Sequence, residues 1–267
     1  DLAKEEFALP PLEEQRRIVK ILQASERVSQ TVRHVEDALK STFVATRHHL
    51  MSRFSPDIGS EEVPIEDSSR TRSLKTLADL VDPTYGIVDG PFGSNLKSVH
   101  YRDSGHPVLQ SAFIAGGTYD PTATDWVYVD ENKFQEQYRS AVRPGDIAMV
   151  KVGVNCGTCD VVPETQPTAI LAGNCLKITP NPAICDTRFL LHYLKWLHEV
   201  GLLERHVTST QQRALTLGRL KGQKIFLPPI SEQKSVARKL DTCQHGFDDS
   251  RSRRAVAQRL ADRILVE

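Results

Sequence analysis

The chain has 267 residues, 39% of them hydrophobic, and is therefore long enough for one large domain or two modest ones with a real core. Its 34 basic and 34 acidic side chains cancel, which excludes a protein that coats nucleic acid through uniform positive charge and confines any DNA contact to part of the surface. No apolar run approaches the roughly 18 residues that span a bilayer, and the first residues lack a signal-peptide pattern, so we expect a cytoplasmic protein without membrane contact.

The first predicted element is a helix that begins within a sequence segment repeated later in the chain. Residues 9–22 read LPPLEEQRRIVKIL, and residues 227–240 read LPPISEQKSVARKL. The paired prolines hold the approach extended and prevent an earlier helix start, and acidic residues follow in the first turn. Each copy therefore predicts the beginning of a helix.

Both predicted helices are long. No glycine or proline interrupts residues 12–54, so the first helix would measure on the order of 55 Å. Its helical positions are Ile18, Leu22, Ser25, Val28, Val32, Val35, Leu39, Phe43 and Leu50. A heptad seam in the second helix comprises Val236, Leu240, Cys243, Phe247, Ser250, Arg254, Ala257, Ala261 and Ile264. We expect an antiparallel coiled coil; the alternative is two ordinary surface helices of one globular fold.

Between the helices the pattern changes twice. Residues 1–54 form the first helical region, and the polar residues 55–75, with two prolines, predict a linker. Residues 76–226 combine short β-rich runs, such as 126–129 and 146–150, with one clear helix around 187–198. This predicts an α+β fold: one mixed α/β domain flanked by the helical regions 1–54 and 227–267.

The cysteines and the motif search favour a protein without catalysis. Cys156 and Cys159 form a CxxC, but a zinc site needs two more ligands, and Cys175 and Cys185 stand ten residues apart. We expect reduced, buried or turn cysteines. No phosphate-binding loop, GxGxxG or HExxH occurs, so we expect neither an enzyme nor a cofactor or metal on this chain.

Three polar segments of the central domain are candidates for DNA contact. The loop 90–97 reads GPFGSNLK, and its backbone amides with Ser94, Asn95 and Lys97 would suit a phosphate; a plain glycine turn is the alternative. Lys151 and Asn155 lie in a second glycine-rich loop. The third segment consists of Thr208, Ser209, Thr210, Gln211, Gln212 and Arg213.

The third segment is part of a basic stretch. From Arg205 to Phe226 there are five basic residues and no acid. A Gln side chain can form two hydrogen bonds to an adenine edge, and an Arg side chain can form two to a guanine edge. We therefore expect Gln211, Gln212 and Arg213 to contact bases. Arg219, Lys221 and Lys224 are expected at phosphates. A solvated loop is the alternative.

Together these phrases resemble the specificity subunit of type I restriction-modification systems. The phrases that carry the resemblance are the doubled LPPLxEQ opening, the loop 90–97, the turn 143–147, the strand 172–176 and the polar loop 208–213. The resemblance implies a non-catalytic target-recognition domain that binds double-stranded DNA. It also implies a methylation subunit that holds S-adenosylmethionine and grips the helices, and a restriction/translocase subunit that joins for cleavage.

The chain departs from this family in having one recognition domain instead of two. It would be either a fragment of a two-domain subunit, which the absence of an initiator Met favours, or a half-subunit that pairs with a second copy of itself. Two alternatives remain: a DNA-reading module of a single-chain restriction-methylation enzyme, and a coiled-coil adaptor without DNA function.

Overall fold

Two long helices carry the two copies of the repeated phrase in the computed structural model, which describes residues 10–58, 72–208 and 213–264. Helix α1 spans Leu12–Met51 and is followed by a 3-10 turn, Ser52–Phe54. Helix α5 spans Ile230–Ile264. Each helix begins directly after the paired prolines, as predicted, with glutamates in its first turn.

The glutamine of the repeated phrase forms the same hydrogen bond in both copies. Gln15 Nε2 donates to the carbonyl oxygen of Pro10 at 2.7 Å, and Gln233 Nε2 donates to that of Pro228 at 2.8 Å. These carbonyls precede the helices, so the side chain satisfies acceptors that the helical ladder does not use. The repeated phrase therefore encodes one local structure twice.

The buried stripe of α1 differs from the predicted one. Phe43 is buried as predicted, but Val28, Val35 and Leu39 are 59%, 50% and 39% exposed, whereas Glu36 is buried. A single contact covers only one stripe of a helix, and the apolar positions of α1 extend over more than one face.

The seam predicted for α5 is followed at most of its described positions. Val236 and Leu240 are buried and Phe247 and Ser250 are half-buried, as predicted, whereas Cys243 is exposed and its neighbour Gln244 is half-buried. The side chains of Arg254, Ala257, Ala261 and Ile264 lie outside the described residues. Antiparallel pairing of the two helices therefore stays a prediction.

The chain divides into two compact units, of which residues 47–240 form one, called the central unit below. The other contains the outer parts of α1 and α5. The strands are β1 Ser73–Thr76, β2 Ile87–Asp89, β3 His106–Leu109, β4 Tyr128–Val129, β5 Ala141–Val142, β6 Ile147–Val150, β7 Cys159–Val161, β8 Ala169–Leu171, β9 Cys175–Ile178, β10 Val207–Thr208, β11 Ala214–Leu215 and β12 Lys224–Leu227. The shorter helices are α2 Glu131–Glu136, α3 Thr187–Glu199 and α4 Leu217–Lys221.

The described strands of the central unit form two four-stranded sheets and two ribbons. One sheet has the order β2-β9-β6-β7 and is antiparallel throughout. The other has the order β4-β3-β8-β5, with β3 and β8 parallel. The ribbons are β1-β12 and β10-β11. The mixed helix and sheet content confirms that part of the predicted fold class.

The last residues of the predicted linker belong to the β1-β12 ribbon. Strand β1 begins at Ser73, inside the range 55–75, and its residues pair antiparallel with Lys224–Leu227. That partner strand leads straight into the prolines before α5. The backbone hydrogen bonds of the last linker residues are therefore satisfied by the segment that precedes the second repeat.

The core lies along the inner strands and α3. Val108 of β3 and Ile170 of β8 are fully buried, and α3 contributes the buried rings of Phe189, Tyr193 and Trp196. The Asp186 side chain accepts from the Phe189 amide at 2.9 Å, an N-cap that begins α3 at the predicted residue.

The turn at residues 143–147 is stabilised by a buried carboxylate. Asp146 is 4% exposed and accepts from the Arg143 amide at 2.9 Å and the Thr179 hydroxyl at 2.6 Å. Lys177, 5% exposed, places Nζ 3.5 Å from the same carboxylate. Gly145, at φ 84°, supplies the left-handed turn that lets the chain enter β6.

The described cysteines carry free thiols, of which Cys243 is exposed and the other four are buried. Burial raises the pKa of Cys159 and of Cys175 to about 12, so both are protonated at neutral pH. Within residues 10–58, 72–208 and 213–264, no group of three or more His, Cys, Asp or Glu side chains is placed to hold a metal ion. No helix in that part of the chain combines the length and apolarity needed to cross a membrane.

Candidate nucleic-acid interface

Loop 151–157 and the β10-β11 hairpin are joined through their backbones. The Gly153 amide donates to the Arg213 carbonyl at 3.0 Å, and the Leu215 amide donates to the Lys151 carbonyl at 2.9 Å. Val152 and Ala214 form an antiparallel bridge at the same place. Two of the three predicted polar segments are therefore neighbours in space.

Residues 172–174 connect the third polar segment, loop 90–97, to loop 151–157. A Cβ on Gly173 would lie 2.5 Å from the Pro91 carbonyl oxygen, so only glycine permits this approach. The Lys151 amide donates to the Asn174 carbonyl at 2.8 Å. Loops 90–97, 151–157 and 172–174 thus form one contiguous set with strands β10 and β11, called the loop face below.

Lys151 is held inside the loop face. Its Nζ lies 2.7 Å from Asp89 Oδ2 and 4.0 Å from the centroid of the Phe92 ring, and the side chain is only 12% exposed. A partly buried ion pair with a ring above it fixes the end of β2 to loop 151–157. Lys151 is thus a predicted DNA-binding residue whose ammonium already has a partner within the chain.

The other predicted residues of loops 90–97 and 151–157 are exposed. Ser94, Asn95, Lys97 and Asn155 all face solvent. Gly93–Asn95 form a 3-10 turn, and the Lys97 amide donates to His100 Nδ1 at 3.0 Å. The backbone of this loop is therefore ordered by local hydrogen bonds, while its polar side chains remain available.

Two of the predicted residues in the third polar segment are described by the structure, Arg213 and Thr208. Arg213 forms an exposed ion pair with Glu204, and the Thr208 hydroxyl donates to the Ala214 carbonyl at 3.3 Å. Ser209, Thr210, Gln211 and Gln212 lie outside the described residues. Since Arg205 also pairs with Asp57 at 2.8 Å, part of the local positive charge is offset by acids from outside the basic stretch.

The predicted phosphate contacts lie on other elements. Arg219 and Lys221 are exposed on α4, and Lys224 is exposed on β12, paired with Thr76 of β1. In the described part of the chain these three cations form no ion pair with an acid. Arg213, the described member of the predicted base-reading group, precedes β11, so it lies on a different element from these three cations.

Comparison with known proteins decides the family. The model of the type I restriction modification DNA specificity domain matches residues 105–251, more than half of the chain. The chain belongs to this family. The resemblance to a type I specificity subunit that the repeated phrase and the polar loops indicated is thereby confirmed.

Solved structures with this specificity-domain fold extend over nearly the whole chain. A chain from a structure on complex assembly and conformational transition of the type I R-M system is 24% identical, with a TM-score of 0.63 over 96% of this chain and 59% of that one. The HsdS subunit from Thermoanaerobacter tengcongensis is 21% identical, with a TM-score of 0.57 over 96% and 58%. The type I S subunit from M. genitalium is 13% identical, with a TM-score of 0.58 over 96% and 60%. This chain thus spans about three fifths of each. No curated protein matches its sequence.

Three residues of the specificity domain's loop face were not predicted from sequence. They are Phe92, 49% exposed above Lys151; Asn174, whose Nδ2 donates to Ser111 Oγ at 2.6 Å; and Val154, 89% exposed. Each lies beside a glycine, Gly93, Gly173 or Gly153, and a glycine within a polar loop is the signal that could have identified them. Phe92 and Val154 are apolar and so do not fit a pattern of charged and amide side chains.

Proposed function

We propose that this chain reads one half of a bipartite DNA sequence on behalf of a methylation subunit and catalyses no reaction itself. The observation that carries the proposal is the loop face, where segments from four parts of the chain meet and present Asn95, Lys97, Asn155 and Arg213 to solvent. Exposed amide, ammonium and guanidinium groups donate hydrogen bonds, and DNA base edges and phosphates provide acceptors for them.

The two groups of cations would have different roles, with base contact at the loop face and phosphate contact at α4 and β12. The hairpin, with Arg213 and the neighbouring Gln211 and Gln212, would meet base edges. Arg219, Lys221 and Lys224 would bind the phosphate backbone, which fixes position without reading sequence. A neutral protein can bind DNA in this way because its charge is locally segregated.

The repeated phrase supports the bipartite part of the proposal. In the second copy, Gln233 is fully buried, accepts from the Asp186 amide at 2.8 Å and donates to the Ile184 carbonyl at 3.0 Å. Val236 and Leu240 behind it are 6% and 0% exposed. The second copy is thus docked on the turn that begins α3.

The first copy has the same local structure without that cover. Ile18 and Leu22, which correspond to Val236 and Leu240, are 41% and 40% exposed, although Gln15 already forms its bond to Pro10. The first copy has the same local structure as the second and apolar side chains at the same positions. This favours a domain like the one that covers the second copy. We infer a second recognition domain, supplied by a longer chain or by a second copy.

The remaining exposed apolar side chains favour a protein partner on α1. Val28, Val35 and Val44 are 59%, 50% and 39% exposed on one long helix. We propose that the methylation subunit binds here and supplies S-adenosylmethionine and base flipping, with a restriction/translocase subunit joining for cleavage. The two long helices would pair antiparallel and set the spacing between the half-sites.

Alanine substitution of Arg213 tests the reading role directly. A paired base contact contributes roughly 1–3 kcal/mol of discrimination, so we expect Arg213→Ala to lower the cognate-to-scrambled affinity ratio about 5- to 150-fold. The measurement is a salt titration of binding to cognate and scrambled duplexes by the complex with the methylation subunit.

Lys221→Ala is the matched control for a phosphate contact. It should weaken binding to both duplexes alike and reduce the salt slope by about one. An unchanged affinity ratio for Arg213→Ala would show that the hairpin is not the reader, and the role would pass to the exposed Lys97 and Asn155. Equal binding of both duplexes by the unmutated complex would contradict the proposed function.

A further inference from the structure

Loop 151–157 is ordered by hydrogen bonds within the chain. Gly153 and Gly157 take left-handed φ values of 108° and 96°. The Cys156 amide donates to the Gly153 carbonyl at 3.1 Å, and its thiol donates to the Lys151 carbonyl at 3.0 Å. Hydrogen bonds inside the loop and the Gly153–Arg213 bond at its edge leave it little freedom to rearrange.

Val154 is at the tip of this ordered loop. It is 89% exposed, the highest value among the large hydrophobic side chains that the structure describes. In this loop conformation the side chain is not covered by any part of the chain that the structure describes. Exposed apolar area of this kind is unfavourable in water and is removed when an apolar surface covers it.

The neighbours of Val154 define what could cover it. The exposed amide of Asn155 follows it in the chain, and the loop is tied to Arg213 and Asn174 through backbone carbonyls that accept from the Gly153 and Lys151 amides. An apolar tip beside an exposed amide suits a DNA major groove, where an apolar group lies among hydrogen-bond donors and acceptors. That group is the C5-methyl of thymine.

We propose that Val154 is a specificity-determining residue that contacts the C5-methyl group of a thymine in the half-site. This inference rests on the proposed function, since it requires that the loop face enter the major groove. Val154 would complement the hydrogen-bonding residues by distinguishing thymine from cytosine, whose C5 carries hydrogen.

Deoxyuridine substitution removes this methyl group and nothing else. The site is first located by methylation mapping, and duplexes are then made with each thymine of the half-site replaced in turn by deoxyuridine. Burial of one methyl-sized group is worth about fourfold in affinity. For the unmutated chain in complex with its methylation subunit, we expect one substitution to weaken binding by about that factor.

Val154→Gly should abolish that difference between the two duplexes, and Val154→Thr should reduce it. The first removes the contacting methyl groups, and the second keeps their shape but places a hydroxyl at the contact. Val28→Ala is the control, because it truncates a 59% exposed valine of α1 and should leave the thymine-to-deoxyuridine ratio unchanged.

Two results would separate this inference from the function on which it rests. If every deoxyuridine substitution costs the same in the Val154 variants as in the unmutated chain, Val154 does not contact the methyl group and the inference is wrong. If the unmutated complex does not distinguish the mapped duplex from a scrambled one, the proposed function itself fails.

Discussion

Replacement of Asp146 by alanine is expected to lower the free energy of unfolding by about 3–5 kcal/mol, the largest effect of any substitution considered. The carboxylate is buried and offsets the charge of Lys177, which is itself only 5% exposed. Removal of one partner leaves the other as an uncompensated buried charge, and the Thr179 hydroxyl also loses its acceptor. Urea unfolding of the chain measures the loss.

Two further variants identify the cause. Asp103→Ala removes an exposed carboxylate and should change the free energy of unfolding by less than about 0.5 kcal/mol. Asp146→Ala combined with Lys177→Met should recover part of the loss, because no unpaired charge then remains in the interior. If the double variant is less stable than Asp146→Ala, the uncompensated ammonium is not the cause.

Gln233→Ala is expected to lower the free energy of unfolding by about 2–4 kcal/mol, whereas Gln15→Ala should cost less than about 1 kcal/mol. The first substitution leaves the Asp186 amide and the Ile184 carbonyl without their partner beside a fully buried position. The second removes only a local bond to Pro10 at a partly buried position. The same urea measurement compares them.

This pair of variants tests the proposal that the first copy of the phrase binds a second recognition domain. The two glutamines form matching bonds to the preceding prolines, so each serves as the control for the other. Equal losses for both substitutions would mean that the first copy is already packed as tightly as the second, and a second recognition domain would then have no exposed surface of this kind to occupy.

The parts of the fold that could be predicted depend on local chemistry. The prolines and acidic residues of the repeat determine where α1 and α5 begin, and the Asp186 N-cap determines where α3 begins. The run 126–129 shows the limit: β4 comprises only Tyr128–Val129, whereas the Trp126 ring stacks on Phe113 with 4.1 Å between the centroids. A ring contact formed 13 residues away in the chain cannot be read from alternation alone.

The arrangement of the loop face could not be predicted for the same reason. The residue types in loops 90–97 and 151–157 and in the hairpin were recognised, but their meeting depends on close backbone approaches, such as that of Gly173 to Pro91. Lys151 shows the consequence: its sequence neighbours suggest a free cation, whereas the structure places it against Asp89 and under Phe92. Helical periodicity likewise identified apolar positions on α1 but not which of them are covered.

Methylation mapping of a host that expresses this chain with its methylation and restriction subunits tests the central claim most directly. If the chain supplies the DNA sequence specificity, one bipartite sequence should be methylated, and that methylation should disappear when the chain alone is omitted. Exchange of the hairpin 207–215 should alter only one half of the sequence. Methylation of the same sequence without the chain would contradict the account.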